Sequence, residues 1–121
     1  MTLSVQHPGL AYGAGITSEN LLRGQFVKLT GGDLFSKVVA EDDIPFGVVF
    51  KDAKSGELVT VYTQGGVYET ELFDAGISAG DELEVNPATA GLQKKGATST
   101  APTVATAISV SGTTLKFKLL V

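Results

Sequence analysis

A chain of 121 residues is one domain's worth, long enough to bury roughly two thirds of the surface exposed by its unfolded form. Its net charge of −4 repels phosphate backbones and anionic lipid head groups, so neither nucleic acid nor a membrane is an expected partner. Fifteen glycines, 7% aromatics and 18% charged residues suit a turn-rich all-β domain and exclude a disordered chain, while the lack of cysteine excludes a disulfide framework and thiolate metal sites.

Residues 1–23 show little regular periodicity. His7-Pro8-Gly9, Tyr12-Gly13-Ala14-Gly15 and Thr17-Ser18-Glu19-Asn20 predict an extended N-terminal arm that orders where it lies against another surface. Met1 to Tyr12 has no cationic segment followed by an apolar core, so synthesis in the cytoplasm without Sec export is expected. No stretch approaches the ~20 apolar residues of a membrane-spanning helix.

Residues 24–121 are expected to form a single β domain. Alternation begins at Gln25-Phe26-Val27-Lys28-Leu29, turns at Thr30-Gly31-Gly32-Asp33 and returns through Phe35 to Ala40, a hairpin pattern. After the acidic run Glu41-Asp42-Asp43, Pro45 fixes the backbone ahead of a strand from Phe46 to Phe50. Leu58 to Thr63 places Val59 and Val61 on one face and Thr60 and Tyr62 on the other. Gln64-Gly65-Gly66 reads as the tight turn of an antiparallel pair with Val67-Tyr68-Glu69-Thr70-Glu71.

Leu72 to Ala75 predicts one short helical turn, and Glu82-Leu83-Glu84-Val85 a strand whose carboxylates share a wet face. A turn cluster from Asn86 to Gly91 precedes the short strand Leu92-Gln93-Lys94 and a small-residue loop from Gly96 to Pro102. Thr103 to Val110, a turn at Ser111-Gly112-Thr113, and Thr114 to Val121 form the closing hairpin, with Leu115, Phe117 and Leu119 alternating with Lys116 and Lys118. The sum is an all-β fold, a compact small barrel or sandwich of about eight to ten short antiparallel strands. No exact repeat supports a solenoid or propeller.

Residues that carry chemistry are sparse. His7, the single histidine, has no cysteine or second histidine with which to hold zinc. Glu41-Asp42-Asp43 lacks the spacing of a calcium loop and reads as solvated. The pairs Glu69 with Glu71 and Glu82 with Glu84 read as wet sheet faces, and acid and base work would require them to converge with Asp81 in one pocket. Gly13-Ala14-Gly15-Ile16-Thr17-Ser18 starts like a dinucleotide fingerprint but lacks its third glycine and a following helix. Lys94-Lys95, with Lys116 and Lys118, lacks the interleaved aromatics of a base-stacking platform. No catalytic residue, metal ligand or cofactor is expected, and the chain is not read as an enzyme.

Four segments follow one another in a telling order: Gly24-Gln25-Phe26-Val27-Lys28-Leu29; Ile44-Pro45-Phe46-Gly47-Val48; Gly56-Glu57-Leu58-Val59-Thr60-Val61-Tyr62 with Gly66-Val67; and Gly76-Ile77-Ser78-Ala79-Gly80-Asp81-Glu82-Leu83. Over Gly15 to Pro87 this order and spacing resembles the capsid cement, or head decoration, proteins of tailed bacteriophages. The resemblance implies a β-tulip-like domain that forms a homotrimer on the outer surface of the expanded phage head. There it would bind the major capsid protein and stabilise contacts between its subunits. It also implies that the arm reaches onto the capsid, which makes Thr2, Leu3, Ser4, Val5, Gln6, His7, Pro8 and Tyr12 the candidate capsid-binding residues. The alternative is another structural or adhesive virion module, of a tail, a fibre or a carbohydrate-binding domain. The last is weakened by the lack of Trp and by only three Tyr.

Overall fold

β-Branched and aromatic residues alternating with polar ones favour a pleated surface with one buried face. The computed structural model describes residues 3–7, 11–31, 34–63 and 65–121. Its strands are β1 (Leu3–His7), β2 (Ala11–Thr17), β3 (Phe26–Gly31), β4 (Leu34–Lys37), β5 (Gly47–Val49), β6 (Leu58–Thr63), β7 (Val67–Thr70), β8 (Glu82–Val85), β9 (Leu92–Lys94), β10 (Ala105–Ser111) and β11 (Thr114–Leu119). The fold is all-β. β2, β4, β3, β5 and β6 close into a five-stranded barrel, and β1, β7, β11, β10, β8 and β9, in that order, form a six-stranded sheet. Among the described residues no helix is long and apolar enough to cross a membrane.

The period of two explains how barrel and sheet share one core. On β3, Val27 turns into the barrel, where it clusters with Phe35, Val49, Val59 and Val61. Its neighbour Phe26 turns outward. With Val48 of β5 it joins Tyr68, Leu83, Leu115, Phe117 and Leu119 of the sheet. Each such side chain taken from water contributes about 1.5–3 kcal/mol before the entropy of ordering is counted. An aromatic row crosses the junction: Phe50 stacks on Tyr62 at 5.0 Å, Tyr62 meets Tyr68 at 4.9 Å, and Tyr68 meets Phe117 at 5.9 Å.

The two hairpins expected at Gln25 to Ala40 and at the C-terminal end form. β3 pairs with β4 and β10 with β11, both antiparallel, although Gly32 and Asp33 of the first turn lie outside the described residues. Leu115, Phe117 and Leu119 are fully buried. One pairing departs from the expected antiparallel pattern: β2 runs parallel to β4, with Ile16 opposite Leu34 and Thr17 opposite Phe35. It is this contact that closes the barrel.

Three local expectations are corrected. β6 and β7 do not pair; β6 lies between β2 and β5, and β7 between β1 and β11. Gly65 and Gly66, at φ of 87° and 94°, carry the chain out of the barrel and into the sheet, in backbone that only glycine adopts without strain. Gln64 lies outside the described residues. Leu72 to Ala75 makes no helical turn but runs beside β9: Asp74 N–H donates to the Leu92 carbonyl at 2.9 Å and Leu92 N–H to the Leu72 carbonyl at 3.3 Å. Glu84 does not share a wet face with Glu82. It is 4% exposed and accepts hydrogen bonds from Gln93 Nε2 at 3.0 Å and Gly96 N–H at 3.3 Å, which replace the water that burial removes.

Candidate functional site

Of the candidate capsid-binding residues, Leu3, Ser4, Val5, Gln6 and His7 form β1, and Tyr12 lies on β2, opposite Tyr62 in the barrel wall. Thr2 and Pro8 lie outside the described residues. β1 stands at the end of the sheet, with Leu3 opposite Thr70, Ser4 opposite Glu69 and Val5 opposite Tyr68. Its outer edge meets no other strand among the described residues. Such an edge offers a row of N–H and C=O groups to a strand from another chain. The opposite edge, β9, is covered by residues 72–74.

The carboxylates do not assemble a reactive centre. Glu69 and Lys116 sit opposite each other on β7 and β11 and, with Ser109, Ser111 and Thr114, line a shallow polar depression of about 320 Å³. Glu82 lies on β8, with β11 and β10 in between, roughly 14 Å from β7 at ordinary strand spacing. Asp81 accepts from Ser78 N–H at 2.8 Å and faces Lys94 at 3.9 Å. Among the described residues no three His, Asp or Glu side chains gather to hold a metal ion.

The acidic run before Pro45 is a lock rather than a solvated turn alone. Asp43 accepts from Lys28 Nζ at 2.8 Å and from the amides of Val39 and Ala40 at 3.0 Å each. The Lys28 ammonium, helped by the Val39 amide, holds the Asp43 carboxyl below its usual range. Because the fold favours the carboxylate over the acid, this contribution is complete above the unfolded value of about pH 4 and is lost as pH falls through the lower folded value. Asp43→Asn is therefore expected to lose about 1–2 kcal/mol at neutral pH and to flatten the acid limb of a stability profile measured by urea unfolding. An unchanged acid limb would refute this. Elsewhere, burial pushes the Tyr62 hydroxyl above its ordinary value.

Sequence reasoning missed an apolar row on the barrel wall. Ile16 of β2 is register partner to both Leu58 of β6 and Leu34 of β4, and the three are 45%, 71% and 43% exposed. Their chain neighbours Thr17, Val59 and Phe35 point inward and are buried. Beside Leu58, a depression of about 190 Å³ is lined by Phe50, Lys51, Asp52, Val59 and Thr60; next to it, sharing Asp52, lies another of about 300 Å³ floored by Leu21, Leu22 and Ala53. No local signal marks this row, since its members come from three segments joined only by barrel register.

A protein-family model described as phage cement protein matches residues 11–119, and so extends well past the Pro87 limit of the motif resemblance. No curated protein matches the chain. Among solved structures, the crystal structure of the head fiber N base of bacteriophage phi29 is similar, with a TM-score of 0.66 and 20% identity over 90% of this chain and 92% of that one. At that identity the likeness is one of fold.

Proposed function

The chain belongs to the phage cement protein family, and from this premise we propose that it coats the outer surface of the expanded phage head as a trimer. In that position it binds the major capsid protein and stabilises contacts between capsid subunits. The observation that carries this reading is the family match across residues 11–119, nearly the whole of barrel and sheet. The architecture supports it: cement requires a stable body and a means of attachment, and here a shared core joins barrel to sheet while β1 presents an edge that no strand covers among the described residues. Many copies each held by a modest contact act together against pressure from packaged DNA.

The N-terminal residues Thr2 to Pro8, with Tyr12, are proposed as capsid-contacting, through main-chain bonds of β1 or by transfer of this segment onto the capsid. Co-sedimentation with expanded heads lacking the protein tests both parts. Saturable binding near one copy per major capsid subunit is expected. Deleting residues 2–8, which spares the barrel strand β2, is expected to lower head occupancy at least tenfold while circular dichroism and the melting transition show a folded body. Undiminished binding of the deleted form would remove the arm from the contact.

The likeness to a head fiber base favours a second reading, in which the domain seats a longer appendage on the head. Electron microscopy of decorated heads separates the two: low knobs fit cement, and projecting rods fit a fibre base.

A further inference from the structure

We propose that Leu72, Phe73 and Asp74 are a strap that closes one edge of the six-stranded sheet, and that without it copies of this chain would add end on end, β1 of one against β9 of the next. Strand directions permit such growth. Every neighbouring pair in the order β1-β7-β11-β10-β8-β9 is antiparallel, so across six strands β1 and β9 run in opposite directions. A second copy displaced sideways along the sheet, turned only by the ordinary strand twist, therefore brings its β1 antiparallel to β9 of the first. The two edges are different surfaces, and head-to-tail contacts between them do not close but build filaments. Pairing of two β1 edges, by contrast, closes after two copies and needs no guard. Among the described residues nothing covers the outer side of β1, so the barrier to open-ended growth stands at β9.

Residues 72–74 fill the place of a seventh strand. Phe73 lies beside Leu92 in parallel register, and both main-chain groups of Leu92 are engaged: its N–H donates to the Leu72 carbonyl at 3.3 Å, and its carbonyl accepts from Asp74 N–H at 2.9 Å. Other contacts hold the strap down. Leu72 N–H donates to Thr70 Oγ1 at 3.1 Å, Asn86 Nδ2 donates to Asp74 Oδ2 at 2.7 Å, and Phe73 packs against the shared core. Gly91 leaves the room for this close approach, since a Cβ there would stand 2.6 Å from Leu72 Cγ and 2.9 Å from the Leu72 carbonyl oxygen. A plain connection from β7 to β8 requires neither the side-chain clamp nor the register. Lys94, at the far end of β9 with its side chain 59% exposed, adds a charge that discourages a strand from pairing there.

Two variants lift the strap by different routes. Gly91→Ala pushes Leu72 away, and Asp74→Pro deletes the N–H that the Leu92 carbonyl accepts. Each is compared with the wild type at equal concentration by ultracentrifugal pelleting and electron microscopy, with circular dichroism reporting the fold. The wild type should stay in the supernatant, and each variant should pellet roughly tenfold more protein, as long filaments. Removing residues 2–8 from either variant should return it to the supernatant, because β1 supplies the adding strand. Folded variants as soluble as the wild type, filaments that persist without residues 2–8, or a wild type that itself forms filaments would overturn the assignment. Loss of the fold in both variants would overturn it as well, since residues 72–74 would then be part of the core rather than its cover. No capsid enters this test, so its outcome is independent of head binding.

Discussion

Gly47→Ala is expected to destabilise the protein by about 3 kcal/mol or more, among the largest effects of any single methyl group in this fold. A Cβ at Gly47 would collide with the main-chain carbonyl oxygen of Tyr62 and stand 2.9 Å from Thr63 Cγ2. That carbonyl cannot retreat, because β6 is held on one side by β5, with Val48 opposite Tyr62, and on the other by β2, with Tyr12 opposite Tyr62. Relief would have to open the barrel. Gly96→Ala is the matched control: the nearest atom to its added methyl is Ser99 Cβ at 3.8 Å, and a change within about 0.5 kcal/mol is expected. Urea unfolding followed by tyrosine fluorescence measures both. Equal midpoints for the two variants would show that the β5–β6 contact is looser than its geometry.

Phe26→Ala is expected to lower stability by about 3–5 kcal/mol. Its ring is fully buried and belongs to the cluster in which Val48 of the barrel and Val38, just past β4, meet Tyr68, Leu83 and Phe117 of the sheet. The main chain at this point is also shared, since Phe26 N–H donates to the Ala90 carbonyl at 2.7 Å and Val38 N–H to the Phe26 carbonyl at 3.1 Å. The truncation thus weakens the seam rather than either unit alone. Native-state hydrogen exchange should show amides of β3 and of β11 losing protection together. Protection lost in the barrel but kept in the sheet would mean that the two units do not fold as one.

The strands most legible in the sequence were those whose partners are close along the chain. Leu115, Phe117 and Leu119 declare their buried face, and Gly112 at φ 60° turns the hairpin that presents them. The same local rule misread Gly65-Gly66. Two glycines between alternating strands suit a tight hairpin equally well, and only the destinations decide: Val59 and Val61 are needed inside the barrel, and Tyr68 against Phe117 in the sheet. Glu84 was misread because its alternation with Leu83 mimics a wet face, whereas its partners Gln93 and Gly96 arrive from the next strand and its loop. The row at Ile16 was invisible for the same reason. Leu58 and Leu34 stand beside it only through register, in one case through a parallel pairing that no short-range pattern foretells.

The register of β2 has a consequence for synthesis. Ala11 pairs with Thr63 and Ile16 with Leu58, while β1 must wait for β7, whose other neighbour is β11 near the C-terminal end. Both segments therefore wait for partners that are made later along the chain, and at about 5–20 residues per second that wait lasts seconds. Non-local pairing of this kind slows folding. During that interval Leu3–His7 and Ala11–Thr17 are two strands without their sheets, each open to pairing with another chain. The glycines at 13 and 15, poor strand formers with no side chain to offer a wrong partner, suit that delay.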